Sequence, residues 1–304
     1  MEEFVRAQDK IGRFDTLVAL KDGRIAAVEK RRLYEMPFFL CTDPPNNDIV
    51  VPSGATSANV ALRVSGEGPV QLTQFGAVFD TDHSLVLVRM YMRDGSGQRQ
   101  ISNVPLHINT LFGPGGNMYP LPEGLYIDED RAMSVDFTDL TASGTHARIC
   151  AVGAKYTQLQ MDPSLARVKE RLKAAEFLST PQFYGINDGS ALLTAYQTAQ
   201  YVVEIAGDQN FELHQLSKYS DGDFLINIVD MAKDESIINA PRNGNYPLPA
   251  SLYFGDGSYP YRFHEPILVY GGQNLLVTLV NTTGDDNTIY LTLGGVALKV
   301  RQWS

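Results

Sequence analysis

A chain of 304 residues with 44% hydrophobic and 20% charged side chains has the composition of an ordinary folded protein of about two domains, and neither a fibre nor a disordered tail. Its formal charge of −10, from 25 basic and 35 acidic residues, opposes a surface built to neutralise phosphates, so no nucleic acid is expected on the main body. Cys41 and Cys150 are too few for a disulfide framework or a paired-thiolate zinc site, and both read as small buried hydrophobes in a reducing compartment.

From Met1 to Arg6 there is no basic segment leading into an apolar run, and no stretch reaches 18 apolar residues, so no membrane-spanning segment is expected and synthesis in a cytoplasm is. Residues 1–24 have no counterpart later in the chain and read as an arm. Ile25 and Val28 suggest a short helix over 25–34, and arm and helix together make up residues 1–37. A first β-sandwich is expected over 38–156, with strands at 57–65, 69–76, 84–92, 131–137 and 146–155; Val60, Leu62 and Val64 show the two-residue alternation of a half-buried strand. The Gly/Ser/Asn/Pro-rich stretch 93–118 reads as a long loop.

A linker over 157–180 then carries an amphipathic helix, with Asp162 as N-cap, Pro163 at its first position, and Leu165, Val168, Leu172 and Ala175 along one face up to the stop at Pro181. Its Arg167, Lys169, Arg171 and Lys173, like Lys30, Arg31 and Arg32 earlier, read as solvated charges on helices. The second β-sandwich is expected over 181–304, with turns at Asp221–Gly222, Gly271–Gly272 and Gly284–Asp285.

The two sandwiches read as copies of one unit. Ala58, Gly66, Leu72 and Gln74 recur 141 residues later as Ala199, Gly207, Leu213 and Gln215, and Val135, Phe137 and Gly153 recur at an offset of 142 as Val277, Leu279 and Gly295. Residues 119–126 (Tyr-Pro-Leu-Pro-Glu-Gly-Leu-Tyr) and 246–253 (Tyr-Pro-Leu-Pro-Ala-Ser-Leu-Tyr) agree at six of eight positions and read as matching turns, which leaves the second copy 15 residues longer beyond that turn. In this excess, centred on 254–266, Phe254, Tyr259, Tyr261, Arg262 and Phe263 are residue types enriched at protein interfaces, so they are the candidate partner-contact residues. The competing reading is that they cover the edge of their own sandwich.

No constellation with the spacing of a reaction is present: no nucleophile elbow, no His-Glu-x-x-His, no phosphate-binding loop and no series of metal ligands. His83, His107, His146, His214 and His264 are scattered, with His214 at an outward position of a strand, and the acidic groups at 128–130, 221–223 and 285–286 suit turns; Asp221 and Asp223 supply only part of a calcium shell. The expectation is a protein that is not an enzyme, with no catalytic residue, no metal and no cofactor.

The fold class is all-β, two tandem antiparallel β-sandwiches of jelly-roll-like type with short linking helices, because short punctuated strands follow one another with no helix between them. The segment from Ile267 to Thr283, followed by 289–295, looks like the closing strands of phage structural sandwiches, and over 38–300 the chain resembles the double-jelly-roll capsid proteins of bacteriophages. That resemblance implies a virion structural protein, in the capsid shell or associated with it, located in the virion. It would act as a homo-oligomer, a trimer or higher assembly, and touch other virion proteins. The alternative is a tail, collar, or receptor- or carbohydrate-binding sandwich.

Overall fold

The computed structural model describes residues 14–19, 25–29, 35–41, 49–51, 57–63, 70–79, 86–94, 97–113, 117–127, 131–140, 145–156, 179–238 and 246–299. The first described residues form an antiparallel pair of β1 (Phe14–Ala19) and β2 (Ile25–Glu29). This corrects the expected helix over 25–34 and gives the arm a strand: alanine and β-branched residues at 25–28 satisfy a ladder as readily as a helix, and β1 supplies the partner. The linker helix over 162–178 lies outside the described residues.

The first sandwich is made of β3 (Glu35–Cys41), β4 (Ile49–Val51), β5 (Ser57–Arg63), β6 (Val70–Phe79), β7 (Val86–Asp94), β8 (Gly97–Gln100), β9 (Leu106–His107), the one-turn helix α1 (Ile108–Leu111), β10 (Tyr119–Ile127), β11 (Ala132–Asp139) and β12 (Thr145–Tyr156). One sheet runs β10-β6-β12-β3 with β4 also on β12, and the facing sheet runs β5-β11-β7-β8 with β9 also on β7. The chain passes repeatedly from one sheet to the other, the course of a jelly roll. The second sandwich repeats this order with β13 (Ser179–Tyr184), β14 (Ala191–Leu193), β15 (Thr198–Glu204), β16 (Gln209–Ser220), β17 (Phe224–Asp230), β18 (Glu235–Ser236), β19 (Leu248–Pro249), β20 (Tyr261–Val269), β21 (Asn274–Asn281) and β22 (Asn287–Lys299). Its sheets are β20-β16-β22-β13 with β14 on β22, and β15-β21-β17-β18 with β19 on β17.

Alternation explains the cores. In β21, Leu275, Val277 and Leu279 face inward while the residues between them are only half-buried, and they meet Leu213, Phe211 and Leu291 of the opposite sheet. Val88, Met90, Val135 and Phe137 likewise meet Leu72, Phe75, Leu125 and Ile149 in the first core.

Two further expectations are corrected. The stretch 93–118 contains β8, β9 and α1 rather than a plain loop. Residues 119–126 and 246–253 are not equivalent: the first begin β10, whereas the second contribute β19 and the 3₁₀ turn Ala250–Leu252. Tyr119 pairs with Phe75 and Tyr261 pairs with Leu216, so β20 is the counterpart of β10, and a single offset of 142 runs from Leu106/Leu248 to Thr145/Asn287. The supposed excess at 254–266 is therefore the approach to β20 and its first half.

The offsets of 141 and 142 meet at a bulge that occurs in both sandwiches. Leu72 opposes Gly153 and Gln74 opposes Val152, skipping Thr73; Leu213 opposes Gly295 and Gln215 opposes Gly294, skipping His214. A Cβ on Gly153 would stand 2.0 Å from the Gln71 carbonyl oxygen, and one on Gly295 would stand 2.0 Å from that of Glu212, so each bulge closes only over glycine. His214, extruded by its bulge, lies beside Glu212 at 3.4 Å, the outward polar position expected of it.

Candidate functional site: the seam between the sandwiches

The two sandwiches meet along a surface that begins with alternation on β13. Successive side chains of a strand point to opposite faces, so Phe183 enters the first core while Tyr184 enters the second. Phe183 is fully buried and stands edge-on to Tyr119 at 6.1 Å, and Tyr184 stands edge-on to Phe211 at 4.8 Å.

The backbone of β13 is shared in the same way. Its outer edge bonds to the first sandwich: the Phe183 N–H donates to the Ile101 carbonyl at 2.9 Å, and the Asn103 N–H donates to the Phe183 carbonyl at 3.2 Å. The Asn103 amide then brackets Gly185, accepting from its N–H at 2.8 Å and donating to its carbonyl at 3.3 Å. An edge strand that would otherwise be open to pairing with another chain is closed in this way.

Behind β13 lies a buried polar layer. His107 stacks on Tyr219 with ring centroids 4.2 Å apart and tilts against Tyr290 at 4.4 Å. Its Nδ1 accepts from the Asn109 N–H at 3.1 Å and caps α1, which leaves the proton of a neutral ring on Nε2. Thr110 and Thr292 share a hydroxyl hydrogen bond of 2.6 Å, and Ser217 Oγ donates to the Thr110 carbonyl at 2.6 Å. The Gln215 amide donates to Tyr119 Oη and to the Pro120 carbonyl at 3.3 Å. Tyr119 lies so close to β22 that a Cβ on Gly294 would meet its hydroxyl at 2.8 Å. At the rim, Arg99 donates to Thr180 Oγ1 at 2.6 Å and Ser179 Oγ donates to Glu123 at 2.9 Å.

Burial pushes the Tyr119 hydroxyl far above its ordinary value of 10.0, outweighing the opposing hydrogen bond from Gln215 and the Arg262 charge; Tyr184 and Tyr290 are also raised, mainly by burial. The unfolded chain ionises these phenols near pH 10 while the folded chain holds them neutral, so stability is expected to be level up to about pH 10 and to fall above it. Tyr119→Phe should remove one proton, at most about 1.4 kcal/mol per pH unit, from that alkaline slope. Urea titrations between about pH 9 and 11.5 check this; a variant with an unchanged slope would show that Tyr119 ionises in the native state.

The candidate contact residues do not act as one group. Phe254 is buried in the second core and is unavailable to a partner, and Phe263 is half-buried against that core. Tyr259 is 68% exposed, and Tyr261 and Arg262 are exposed on the edge strand β20. Asp221 and Asp223 serve the β16–β17 turn, where Asp221 accepts from the Thr288 N–H at 3.2 Å. No three His, Cys, Asp or Glu side chains converge on a metal-sized site among the described residues. Cys150 is half-buried rather than buried, and the β3–β12 register sets it opposite Cys41. Sequence reasoning missed His107, Tyr219 and Tyr290, which come from distant elements and share no motif.

No family model and no curated protein matches the chain. Among solved structures, it aligns over 88% of its length with 97% of PNGase F, a glycosylasparaginase from Flavobacterium meningosepticum, at 8% identity and a TM-score of 0.33. It aligns over 88% of its length with all of the major capsid protein P2 from Bacteriophage PM2, at 10% identity and a TM-score of 0.36. It aligns over 84% of its length with 61% of a chain from Sulfolobus Turreted Icosahedral Virus, at 10% identity and a TM-score of 0.24. An amidase thus stands beside a capsid protein among the matches, against the expectation of a chain that is not an enzyme, and that expectation is withdrawn. Likeness at this level assigns no reaction and no assembly to the present chain. No helix among the described residues is long and apolar enough to cross a membrane.

Proposed function

We propose that this chain is a virion structural protein, in or on a capsid shell, that acts by assembling with copies of itself and with other virion proteins. One observation carries this reading. The register places Gln74 and Gln215 at the same position of the two sandwiches, and Tyr119 and Tyr261 likewise. Within the chain, Tyr119 of the first sandwich is buried against Gln215 of the second. That leaves Tyr261 of the second sandwich, 38% exposed, and Gln74 of the first, half-buried, as an unused pair of the same two residues.

A second copy placed so that its first sandwich meets β20, as the second sandwich here meets β10, would join them. Such a head-to-tail contact can be repeated until a ring closes, and the trimer expected from the sequence would set six sandwiches around one axis. Surface composition supports this: Tyr246, Leu252, Tyr259 and Tyr261, 72%, 66%, 68% and 38% exposed, cluster on the approach to β20 and its first residue, with Arg262 beside them. Aromatic residues and arginine are the types that anchor interfaces. The equal strand order of the two sandwiches also favours an origin by internal duplication.

Light scattering and electron microscopy of the full chain test the proposal. The wild type should form trimers or larger shells, and Tyr261→Ser should shift it to monomers whose melting temperature is unchanged. A wild type that stays monomeric at high concentration, or shells indifferent to Tyr261→Ser and Gln74→Leu alike, would reject it.

A further inference from the structure

Beyond assembly, we propose that the open end of the seam is a saccharide-binding cleft for a neutral, hydroxyl-rich ligand. A cavity of about 570 Å³ opens there between the two sandwiches, a volume within the range of small-molecule sites. Gln182 and Tyr184 of β13 and Gln209 of β16 form its floor, and Asn103, Glu204 and Asn274 stand around it.

The floor is built but incomplete. Gln182 is only 6% exposed, lines the cavity, and makes no side-chain hydrogen bond to another described residue. The Gln182 amide is thus held in place with its donors and its acceptor free to meet a ligand that offers both. Beside it the Tyr184 hydroxyl accepts from the Ala206 N–H at 3.4 Å and hydrogen-bonds with Gln209, and burial keeps it protonated, so its own O–H remains a donor. Beside this floor the Gly272 N–H donates to the Ile205 carbonyl and the Ile205 N–H to the Gln273 carbonyl, both at 3.0 Å, which ties the end of β15 to the β20–β21 turn.

The lining chooses the ligand class. Among the described residues it contains no lysine, arginine or histidine, and its carboxylate, Glu204, repels anions, so phosphates and acidic sugars are disfavoured. The Arg89 guanidinium donates to the Asn103 carbonyl at 3.3 Å and lies outside the lining. An apolar ligand would leave the Gln182 amide and the Tyr184 O–H unmatched. Vicinal hydroxyls, each donor and acceptor, match amides two at a time.

This inference does not depend on assembly, and its test is read on the full chain whatever its oligomeric state. Saturation-transfer NMR with cellobiose, maltotriose, chitobiose and lactose, each at about 10 mM, should show binding of at least one, a concentration sufficient for affinities near 1 mM. Gln182→Leu should weaken that binding at least about tenfold while leaving the melting temperature close to that of the wild type, because the amide it removes makes no side-chain hydrogen bond to another described residue. Asn274→Ala should weaken it without altering the fold. The proposal fails if none of the four sugars binds the wild type, if Gln182→Leu binds as well as the wild type, or if glucose 6-phosphate binds as tightly as the neutral sugars.

Discussion

Phe183→Ala is expected to destabilise the chain by about 3–5 kcal/mol, the loss found when a fully buried aromatic ring leaves a cavity. The ring belongs by sequence to the second sandwich and by packing to the first core, where it meets Tyr119. Its loss should therefore act on the sandwich that does not contain it. Differential scanning calorimetry should show the first sandwich of the variant melting roughly 10 °C earlier than in the wild type, at some 2–4 °C per kcal/mol. Leu192→Ala on β14, where the side chain is 64% exposed, is the comparison and should stay within about 0.5 kcal/mol. A loss below about 1 kcal/mol at Phe183 would mean that the cores are independent and the seam is only a contact.

Gly295→Ala should be comparably severe. The added Cβ would lie 2.0 Å from the Glu212 carbonyl oxygen and 2.6 and 2.7 Å from the Phe211 ring, none of which can retreat without opening the β16–β22 ladder. Overpacking of this kind reaches about 3 kcal/mol or more, and Gly153→Ala should do the same in the first sandwich against Gln71. Gly207→Ala separates this from a generic glycine effect: nothing lies within 4 Å of its Cβ position, so the substitution should be neutral or stabilising by up to about 1 kcal/mol. Urea midpoints of the three variants decide the matter, and equal destabilisation at 207 and 295 would remove the bulge as the cause.

How far the fold could be read from the sequence follows from which residues obey a period. Strands over 57–63, 70–79, 86–94, 132–139 and 145–156 fall within a few residues of their expected bounds, because alternation in the sequence is the direct trace of the two-residue period of a strand. β10 was hidden by Pro120, Pro122 and Gly124, which normally mark a turn. An edge strand tolerates proline on its unpaired side, and β10 is paired to β6 only at 119–120 and 125–127. The likeness of 119–126 to 246–253 misled for a related reason: six shared residues do not decide which ladder a segment joins. The seam was legible in part. Gln215 stood out as a repeated glutamine, but its partner Tyr119 was assigned to a turn, and the stack of His107, Tyr219 and Tyr290 forms only when three remote elements converge.

The exchange of side chains at β13 also bears on the order of synthesis. All strands of the first sandwich leave the ribosome before Phe183 does, so that sandwich closes with a vacancy in its core and without the Phe183 partner of the Ile101 carbonyl and the Asn103 N–H. Those groups then receive β13 as it emerges, and β13 in turn waits for β22, its ladder partner more than 100 residues further along the chain. The first half of the chain is thus a template on which the second is laid down. A nascent chain halted between the two would expose an apolar hole and an open strand edge, the species a chaperone has to cover.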